Sequence, residues 1–331
     1  MTSAMKPVTS IKLKGHRKRQ LADTLLKMHA RKPKVLPQPD PIRVVCVSDT
    51  HNTRPVLPFG DVLIHAGDLT ENGSFDEVQA ELKWLSNQPH KYKVLIAGNH
   101  DVLFDETFLA KHPERRYGQT KTKEDLDWGT ITYLQDAWVT FEFPSHHRVL
   151  ACQNTTAKFP SPEPRPRKLT IFGSPWTPQY GVSAFQYRPD DESHWAVRFA
   201  SLGPKPDIFV THCPPKHHLD ARDFHRAGCP YLAEELARFQ PRLVVFGHIH
   251  ASYGREDVVL DNVQRAYEEV MTGWAGWEKV GWMVALVLWA RLKWLFGILG
   301  EEEGKTTTFV NAAVVGGPKN ELRNDSAVVE L

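Results

Sequence analysis

Five short apolar runs of this chain each end in residues of the kinds that bind metal ions. The endings read, in chain order, Asp-x-His, Gly-Asp, Gly-Asn-His-Asp, His and Gly-His-x-His. Their polar residues are Asp49, His51, Asp68, Asn99, His100, Asp101, His212, His248 and His250. Two cations about 3.5 to 4 Å apart can share a hydroxide and stabilise the attacking and leaving oxygens of an in-line phosphoryl displacement. The pattern is therefore typical of a two-metal hydrolase.

Such a site needs one anionic bridge, and Asp68 is the natural candidate. It is a lone carboxylate after Gly67, where a glycine lets the backbone turn tightly and present both carboxylate oxygens. The other endings supply further ligands of carboxylate, carboxamide and imidazole type. Mixed nitrogen and oxygen ligands suit Mn, Fe or Zn, so two ions of such metals are the expected cofactors.

The apolar runs before these residues predict strands buried on both faces. The runs span residues 42–47, 62–64, 94–96, 208–210 and 243–246, and turn residues bound them. Ligands of α/β sheets gather at the carboxyl ends of strands. We therefore expect the polar side chains to lie along one sheet edge.

Helices are expected between these strands. Ser74 and Glu77 have the spacing of a capping box, and a second helix is expected after Pro230. The region from 131 to 172 contains short β-rich runs at 131–134, 138–143, 149–152 and 169–172, which predict a second, mixed sheet. The alternation of strands and helices indicates the α/β class.

The set of motifs resembles the calcineurin-like metallophosphoesterase superfamily, in full and in order, over about residues 42–257 and again 306–318. Within it, the chain is similar to the metallophosphoesterase-domain-containing, brain-protein 239 branch. The segments that carry this similarity are Ser48-Asp49-Thr50-His51, Ile64-His65-Ala66-Gly67-Asp68, Tyr133-Leu134-Gln135-Asp136, Gly173-Ser174-Pro175-Trp176-Thr177-Pro178 and Thr211-His212-Cys213-Pro214-Pro215.

The resemblance implies a four-layer α-β-β-α sandwich, in which two mixed sheets are flanked by helices, here with a Trp-rich helical insertion. It also implies the ligands of each metal. One metal would be held by Asp49, His51, Asp68 and His250. The other would be held by Asp68, Asn99, His212 and His248.

The resemblance gives His100 and Asp101 catalytic roles. His100 would stay unligated beside the metals, contact phosphate and protonate the leaving alkoxide, while Asp101 would orient its ring. The implied activity is hydrolysis of a small phosphoester by a bridging hydroxide, and more specifically of phosphodiesters such as cyclic nucleotides. Two alternatives stay open. One is a protein phosphatase, disfavoured because Gly67-Asp68 is followed by Leu69-Thr70 and not by an arginine-containing motif; the other is a membrane-docked scaffold with a vestigial metal site.

Charge and composition limit the partners. The 331 residues are 41% hydrophobic and 24% charged, with a formal net charge of +2, which predicts no specific nucleic-acid partner. Residues 1–40 carry ten Lys or Arg against two Asp. We therefore expect a disordered basic tail and Pro-rich linker at 1–41, a metallophosphoesterase domain at 42–257, a helical hydrophobic insertion at 258–304, and a C-terminal strand and tail at 305–331.

The expected location is the cytoplasm. No apolar stretch resembling a secretory signal is seen near residue 1, and four cysteines without a CxxC spacing are expected to be free thiols. The basic, acid-poor tail leaves a mitochondrial transit peptide as an alternative.

Residues 274–299 contain five of the ten tryptophans and are largely apolar. Arg291 and Lys293 lie just past the midpoint of the apolar run, and a basic residue at the centre of a membrane span costs about 2.5 to 3.5 kcal/mol. Three interpretations stay open: a helix on a membrane surface, a packed insertion or oligomer contact, and a membrane span.

The remaining histidines are expected to have ordinary roles. His65, inside a strand, is expected in the core. His146, His147, His217 and His218 lie in loop-like stretches and are expected to be solvated.

Overall fold

The computed structural model describes residues 17–29, 40–144, 166–200, 202–203, 205–222, 225–296 and 306–331. The strands are, in chain order, β1 (Arg43–Val47), β2 (Val62–Ala66), β3 (Tyr92–Ile96), β4 (Ile131–Tyr133), β5 (Ala137–Phe143), β6 (Arg167–Ser174), β7 (Thr177–Pro178), β8 (Gln186–Tyr187), β9 (Ile208–Thr211), β10 (Ala221–Arg222), β11 (His225–Arg226), β12 (Leu243–Phe246), β13 (Gly254–Val259), β14 (Thr306–Asn311), β15 (Val315–Gly316), β16 (Glu321–Leu322) and β17 (Ala327–Glu330). The helices are α1 (Arg17–His29), α2 (Phe75–Ser86), α3 (Glu106–Lys111), α4 (His194–Ala200), α5 (Pro230–Phe239), α6 (Asn262–Thr272) and α7 (Trp277–Leu295).

Two mixed sheets form the body of the protein. The first has the strand order β17-β1-β2-β3-β4, in which β1 to β4 run parallel and β17 pairs antiparallel with β1. The second has the order β13-β14-β12-β9-β6-β5, with four parallel strands in the middle and an antiparallel strand at each edge. The α/β class with two mixed sheets and flanking helices is confirmed.

The expectation of one sheet edge is wrong, because the ligand-bearing strands are divided between the sheets. β1, β2 and β3 lie in the first sheet, while β9 and β12 lie in the second. The run at 131–134 joins the first sheet as β4, and the strand expected at 149–152 lies outside the described residues. An apolar sequence that predicts a strand buried on both faces does not indicate which strands lie beside it, since strand pairing depends on distant parts of the chain.

The main core lies between the two sheets. Alternate residues of each strand point to this layer, as the period of two requires; Val44 and Ile64 come from the first sheet, and Val210 and Val245 come from the second. Each is completely buried, which stabilises the fold by about 1.5 to 3 kcal/mol per large aliphatic side chain. The opposite faces pack against helices, which gives the layered arrangement.

Both helices expected from local signals are present. α2 begins after Ser74, whose side chain accepts from the amide of Glu77 while the Glu77 carboxylate accepts from the amide of Ser74. This capping box satisfies two otherwise unpaired amides at the start of the helix. α5 begins at Pro230, a position where the missing amide hydrogen of proline has no cost.

Residues 17–29 correct the expectation of a disordered tail, because they form α1. Ala22 and Leu25 of α1 are buried against Val263 and Val270 of α6, and against Met283 of α7. We call the unit formed by α1, α6 and α7 the helical module. Composition alone did not predict α1, since its apolar partners lie more than 200 residues away in the chain.

The helical module leaves one side of α7 exposed. Val280, Met283 and Val287 are buried in the module, whereas Trp282 and Trp289 are 56% and 59% exposed. Within the described residues, no helix combines the length and the apolar character needed to cross a bilayer.

Candidate metal centre

The carboxyl ends of both sheets meet at one place, because β2 packs against β9 and β12 across the main core. Three groups of potential ligand atoms lie there, each with its atoms within 4.8 Å of one another, and two of them consist of predicted ligands alone. The first group is Asp49, His51 and His250. The second group is Asp68, His212 and His248.

In the first group, Asp49 is the fixed point. Its carboxylate accepts the main-chain amide of His248 at 3.0 Å through both oxygens, and Nε2 of His250 lies 3.2 Å from its Oδ1. The His51 side chain is only 1% exposed, and its ring lies edge-on to that of His250 at 5.3 Å. These three residues follow β1 and β12, so each sheet contributes to the group.

In the second group, the His212 ring is held through Nδ1, the nitrogen that faces away from the other ligands. Nδ1 donates to the carbonyl of Ala66 at 2.9 Å, which leaves Nε2 facing the carboxamide oxygen of Asn99 at 3.1 Å and Asp68 Oδ2 at 3.3 Å. Such an outer hydrogen bond fixes the tautomer of a ligand histidine. The ring of His248 completes this group, 5.1 Å from that of His212.

Asp68 links the two groups. Its Oδ2 faces His212 at 3.3 Å and Nε2 of His51 at 3.8 Å, while Oδ1 accepts the amide of His100 at 2.8 Å. Asp68 is 2% exposed. Its position between both groups is the position of a bridging ligand.

The site fits a pair of metal ions. Neither ring nitrogen of the buried His51 has a hydrogen-bond partner among the described residues, which would be costly unless another group satisfies them. Carboxylate, carboxamide and imidazole are the donors that Mn, Fe and Zn accept. The structure brings all seven expected ligands together; which metal each would hold stays a prediction.

Charge coupling dominates the titration of these groups. Burial alone would raise the pKa of Asp68, but the charge of His212 and the hydrogen bond to it hold that pKa well below its usual range. Burial lowers the pKa of His212, but the charge of Asp68 outweighs it and raises the value to about 9. Burial, together with the charge of His212, lowers the pKa of His248 to about 3. A cation that binds Nε2 of His212 must therefore displace a proton.

The backbone at the site is unusual. Asp49, His51, Asp68 and His248 all have φ between 44° and 65°, in the left-handed region that non-glycine residues rarely adopt. Conformations of this kind persist where the surrounding structure enforces them, and they concentrate at functional sites. Gly67 has φ 95°, and a Cβ there would lie 2.6 Å from Nδ1 of His212, which confirms the need for glycine before Asp68.

The expected role of Asp101 is wrong. Its buried carboxylate accepts the main-chain amides of Gly98, Leu69 and Thr70 and the hydroxyl of Thr70. Asp101 therefore holds together the two loops that carry Asp68 and Asn99. Among the described residues, no hydrogen bond joins the Asp101 carboxylate to the ring of His100.

The ring of His100 is held by a different residue. Its Nδ1 donates to the main-chain carbonyl of Glu71 at 2.7 Å. Burial lowers the pKa of His100, but the charge of Asp68 and this hydrogen bond raise it overall above the ordinary value. The His100 ring lies edge-on to the His51 ring at 4.7 Å, so the free imidazole is beside the ligand groups, as expected.

Three other histidines have defined places. His65 is completely buried and bonds to the hydroxyl of Thr50, which confirms a core role. The expectation of a solvated His218 is wrong, because His218 is 3% exposed; His217 is partly exposed and contacts the Thr272 hydroxyl. His146 and His147 lie outside the described residues.

The buried His218 side chain has a carboxylate partner at each ring nitrogen. Its nitrogens lie 2.7 Å from Glu256 and 3.1 Å from Glu268, and its ring stacks on Phe309 at 4.0 Å. Glu256 belongs to β13 and Glu268 to α6, so no local pattern indicated the pairing.

Two further residues at the site carried no signal of function in the sequence. The Ser183 hydroxyl donates to the carbonyl of Asn99 at 2.6 Å and accepts from its carboxamide, which aims the carboxamide oxygen at His212. Tyr180 is 53% exposed, and its ring lies 5.1 Å from the ring of His248. Tyr180 therefore borders the mouth of the metal centre.

The chain is similar to several known proteins. A chain from Emericella nidulans named probable rhamnogalacturonate lyase C is 37% identical over 88% of this chain and 24% of its own length. Human metallophosphoesterase domain-containing protein 1 is 36% identical over 64% of this chain and 61% of its own length. This chain thus spans less than two thirds of either relative.

The solved structure of TT1561 of Thermus thermophilus is also similar, with a TM-score of 0.39 and 12% identity over 67% of this chain and 86% of that one. The sequence profile of one family, described as calcineurin-like phosphoesterase, matches residues 42–252, which contain all the candidate ligands. The chain belongs to the calcineurin-like phosphoesterase family.

Proposed function

We propose that this protein is a metal-dependent phosphodiesterase that hydrolyses small phosphodiesters such as cyclic nucleotides. Membership of the family implies a metal-dependent phosphoester hydrolase. The observation that carries the proposal is the position of Asp68 between two ligand groups, each made of strand-end residues. Two bound cations would supply a hydroxide nucleophile and neutralise charge on the phosphoryl oxygens.

The protein's own residues supply the rest of the chemistry. His100 donates from Nδ1 to the Glu71 carbonyl, so Nε2 is the nitrogen left for the substrate. As an imidazolium, His100 can give the proton on Nε2 to the leaving oxygen while Nδ1 keeps its hydrogen bond to the Glu71 carbonyl. Asn99, fixed by Ser183, keeps its oxygen within the second ligand group.

Tyr180 supports a diester as the substrate. A diester carries a second organic group on phosphorus, and this group needs a place at the mouth of the site. The half-exposed ring of Tyr180 beside His248 offers a flat surface for a base or an aryl group. The chain also has Leu69 and Thr70 after Asp68, where protein phosphatases of this fold carry an arginine motif, so a protein phosphatase is the weaker proposal.

Metal analysis combined with turnover of two substrates tests this proposal. We expect the native protein to bind near two metal ions and to hydrolyse bis(p-nitrophenyl) phosphate faster than p-nitrophenyl phosphate. The Asp68→Asn variant should lose both properties. Faster turnover of the monoester would contradict the diester preference, whereas two metals without turnover of either ester would favour a scaffold with a vestigial metal site.

We also propose that α7 docks on an anionic membrane surface. The protein would reach this surface from a reducing compartment such as the cytoplasm. Trp282 and Trp289 are seven residues apart, so they lie along one side of α7, and Phe296 follows directly after the helix; each is more than half exposed. Contiguous exposed apolar surface of this kind marks an interaction site. Cys46, Cys213 and Cys229 are free thiols, which supports the reducing compartment.

Charge favours lipid over a second copy of the chain as the occupant of this face. α7 carries three basic residues and one acidic residue, and α1 beside it carries Arg17, Lys18, Arg19 and Lys27 against Asp23. Two such basic surfaces repel one another but attract acidic phospholipid headgroups. Tryptophan and basic side chains on one helix are typical of the lipid boundary.

Vesicle flotation tests the docking proposal. We expect the native protein to float with vesicles that contain phosphatidylserine, and the double variant Trp282→Glu, Trp289→Glu to remain in solution. Val197→Glu on α4 is a matched control, because Val197 is also a helical apolar residue, 65% exposed. Equal flotation of native and double variant would contradict the proposal. The proposal would also be contradicted if the native protein did not float but formed a dimer in light scattering, and if the double variant lost that dimer.

A further inference from the structure

Glu71 contacts two of the site imidazoles through two different groups. Oε2 of its side chain lies 3.2 Å from Nδ1 of His51, and its main-chain carbonyl lies 2.7 Å from Nδ1 of His100. His51 belongs to the first ligand group, whereas His100 is the free imidazole. One residue thus meets both imidazoles on the side away from the metal centre.

The Glu71 carboxylate is itself fixed. Its Oε2 accepts a hydrogen bond from the carboxamide of Asn320 at 2.8 Å. Asn320 lies between β15 and β16 and has φ 48°, so the turn of this hairpin presents its side chain to the loop after β2. A residue 249 positions away in the chain therefore determines where the carboxylate lies.

The Glu71 carboxylate faces one ring nitrogen of His51. Nδ1 and Nε2 of His51 make no hydrogen bond to the described residues, and the contact with Glu71 has ion-pair distance without hydrogen-bond alignment. A rotation of the ring that aligns Nδ1–H with Oε2 of Glu71 also sets the direction of Nε2, which already lies 3.8 Å from Asp68 Oδ2. The edge-on contact of the His51 and His100 rings, at 4.7 Å, couples their orientations.

We infer that Glu71 is a positioning residue of the metal centre, with its carboxylate, held by Asn320, orienting His51 and its carbonyl orienting His100; this rests on the proposed function. Metal-bound histidines generally donate their other ring hydrogen to a carboxylate or carbonyl, and loss of that partner weakens metal binding about 10- to 100-fold. The two groups of Glu71 are separable, because a side-chain substitution leaves the carbonyl in place.

The competing interpretation makes Glu71 a ligand. Ligand atoms of His51, Glu71 and His100 lie within 4.8 Å of one another and could in principle enclose a further cation. The hydrogen bonds argue against this. Nδ1 of His100 already donates to a carbonyl, and the Asn320 amide hydrogens that point at Glu71 would also face the cation.

Manganese titration followed by electron paramagnetic resonance tests the inference. We expect native protein to give the spectrum of a spin-coupled pair at two Mn²⁺ per chain. Glu71→Ala should keep one tight ion and bind the other about 10- to 100-fold more weakly. Glu71→Gln, which retains an acceptor oxygen, should recover part of the affinity for the second ion. The affinity of Asn320→Ala for that ion should lie between those of the native protein and Glu71→Ala.

Glu321→Ala is the matched control. Glu321 is an exposed carboxylate of the same hairpin that pairs with Arg323, so its loss should leave both metal affinities unchanged. Native affinity for both ions in folded Glu71→Ala and Asn320→Ala would overturn the inference. Three ions in the native protein and two in Glu71→Ala would make Glu71 a ligand. Fewer than two ions in the native protein would contradict the proposed function itself.

Discussion

Replacing Gly98 by alanine tests whether a bridging Asp68 organises the whole site. A Cβ on Gly98 would lie less than 3.0 Å from Oδ1 and the amide nitrogen of Asp68, and 2.7 Å from Cε1 of His212. Ordinary van der Waals contact begins at 3.4 Å. His212 would therefore have to move by about 0.7 Å, and Asp68 would have to move further. Gly98 does not have a positive φ, so the perturbation is steric and not a backbone strain.

The effect of Gly98→Ala on stability follows from overpacking, and its effect on the rate follows from displacement of Asp68 and His212. Forcing a methyl group into a packed site costs about 1 to 3 kcal/mol of stability. A displacement near 1 Å in a catalytic constellation costs on the order of 10²-fold in rate. Because Asp68 faces both ligand groups, we expect Gly98→Ala to weaken the binding of both metal ions together and to lower kcat/KM about 100-fold.

Isothermal titration with Mn²⁺ and diesterase kinetics measure both effects. Gly281→Ala in α7 is the control, since a Cβ there meets no atom within 4 Å. It should keep both metals and gain about 0.5 to 1 kcal/mol of stability, because alanine suits a helix interior better than glycine. Tight binding of two ions by Gly98→Ala would refute the bridging role of Asp68.

Three further predictions test separate parts of the structure. His100→Asn should retain two metal ions but lower kcat on diesters about 10²- to 10⁴-fold, and the loss should be smallest for esters with acidic leaving groups; an equal loss for all leaving groups would contradict proton donation by His100. Tyr180→Ala should raise KM for a cyclic nucleotide about 5- to 150-fold, since stacking of a base contributes about 1 to 3 kcal/mol, while KM for dimethyl phosphate stays the same; equal changes for both would exclude stacking. His218→Gln should destabilise the protein by about 3 to 5 kcal/mol at pH 6, because the buried Glu268 and the partly exposed Glu256 lose their cation. Burial lowers the pKa of His218, but Glu256 and Glu268 raise it to about 10, so its stabilisation is fully present below about pH 6.5 and is lost as the pH rises through 10. The native and His218→Gln unfolding free energies should therefore converge between pH 6.5 and 10, and a constant difference would contradict the ion pair.

Local signals in the sequence were sufficient to find the candidate ligands that the structure brings together. His212 follows an apolar strand directly, Asp49 and Asp68 come two residues after theirs, and the structure places these strand ends at one site. The capping box of Ser74 and the proline at the start of α5 also depend only on neighbouring residues, so the two helices could be predicted. These features need no knowledge of distant parts of the chain.

Features set by distant partners could not be predicted in this way. The division of the ligand strands between two sheets depends on pairings such as β12 with β14, and α1 folds because α6 and α7 cover its apolar side. His218 is buried because Glu256 and Glu268 come from two other elements. Asp101 is next to His100 in the chain, whereas its carboxylate bonds to amides of a loop more than 30 residues earlier.

The most direct measurement of the central claim is anomalous diffraction from crystals grown with Mn²⁺. We expect two peaks about 3.5 to 4 Å apart with Asp68 between them. Asp49, His51 and His250 should surround one peak, and Asn99, His212 and His248 the other. A single peak, or a pair of peaks that Asp68 does not contact, would contradict the two-metal account.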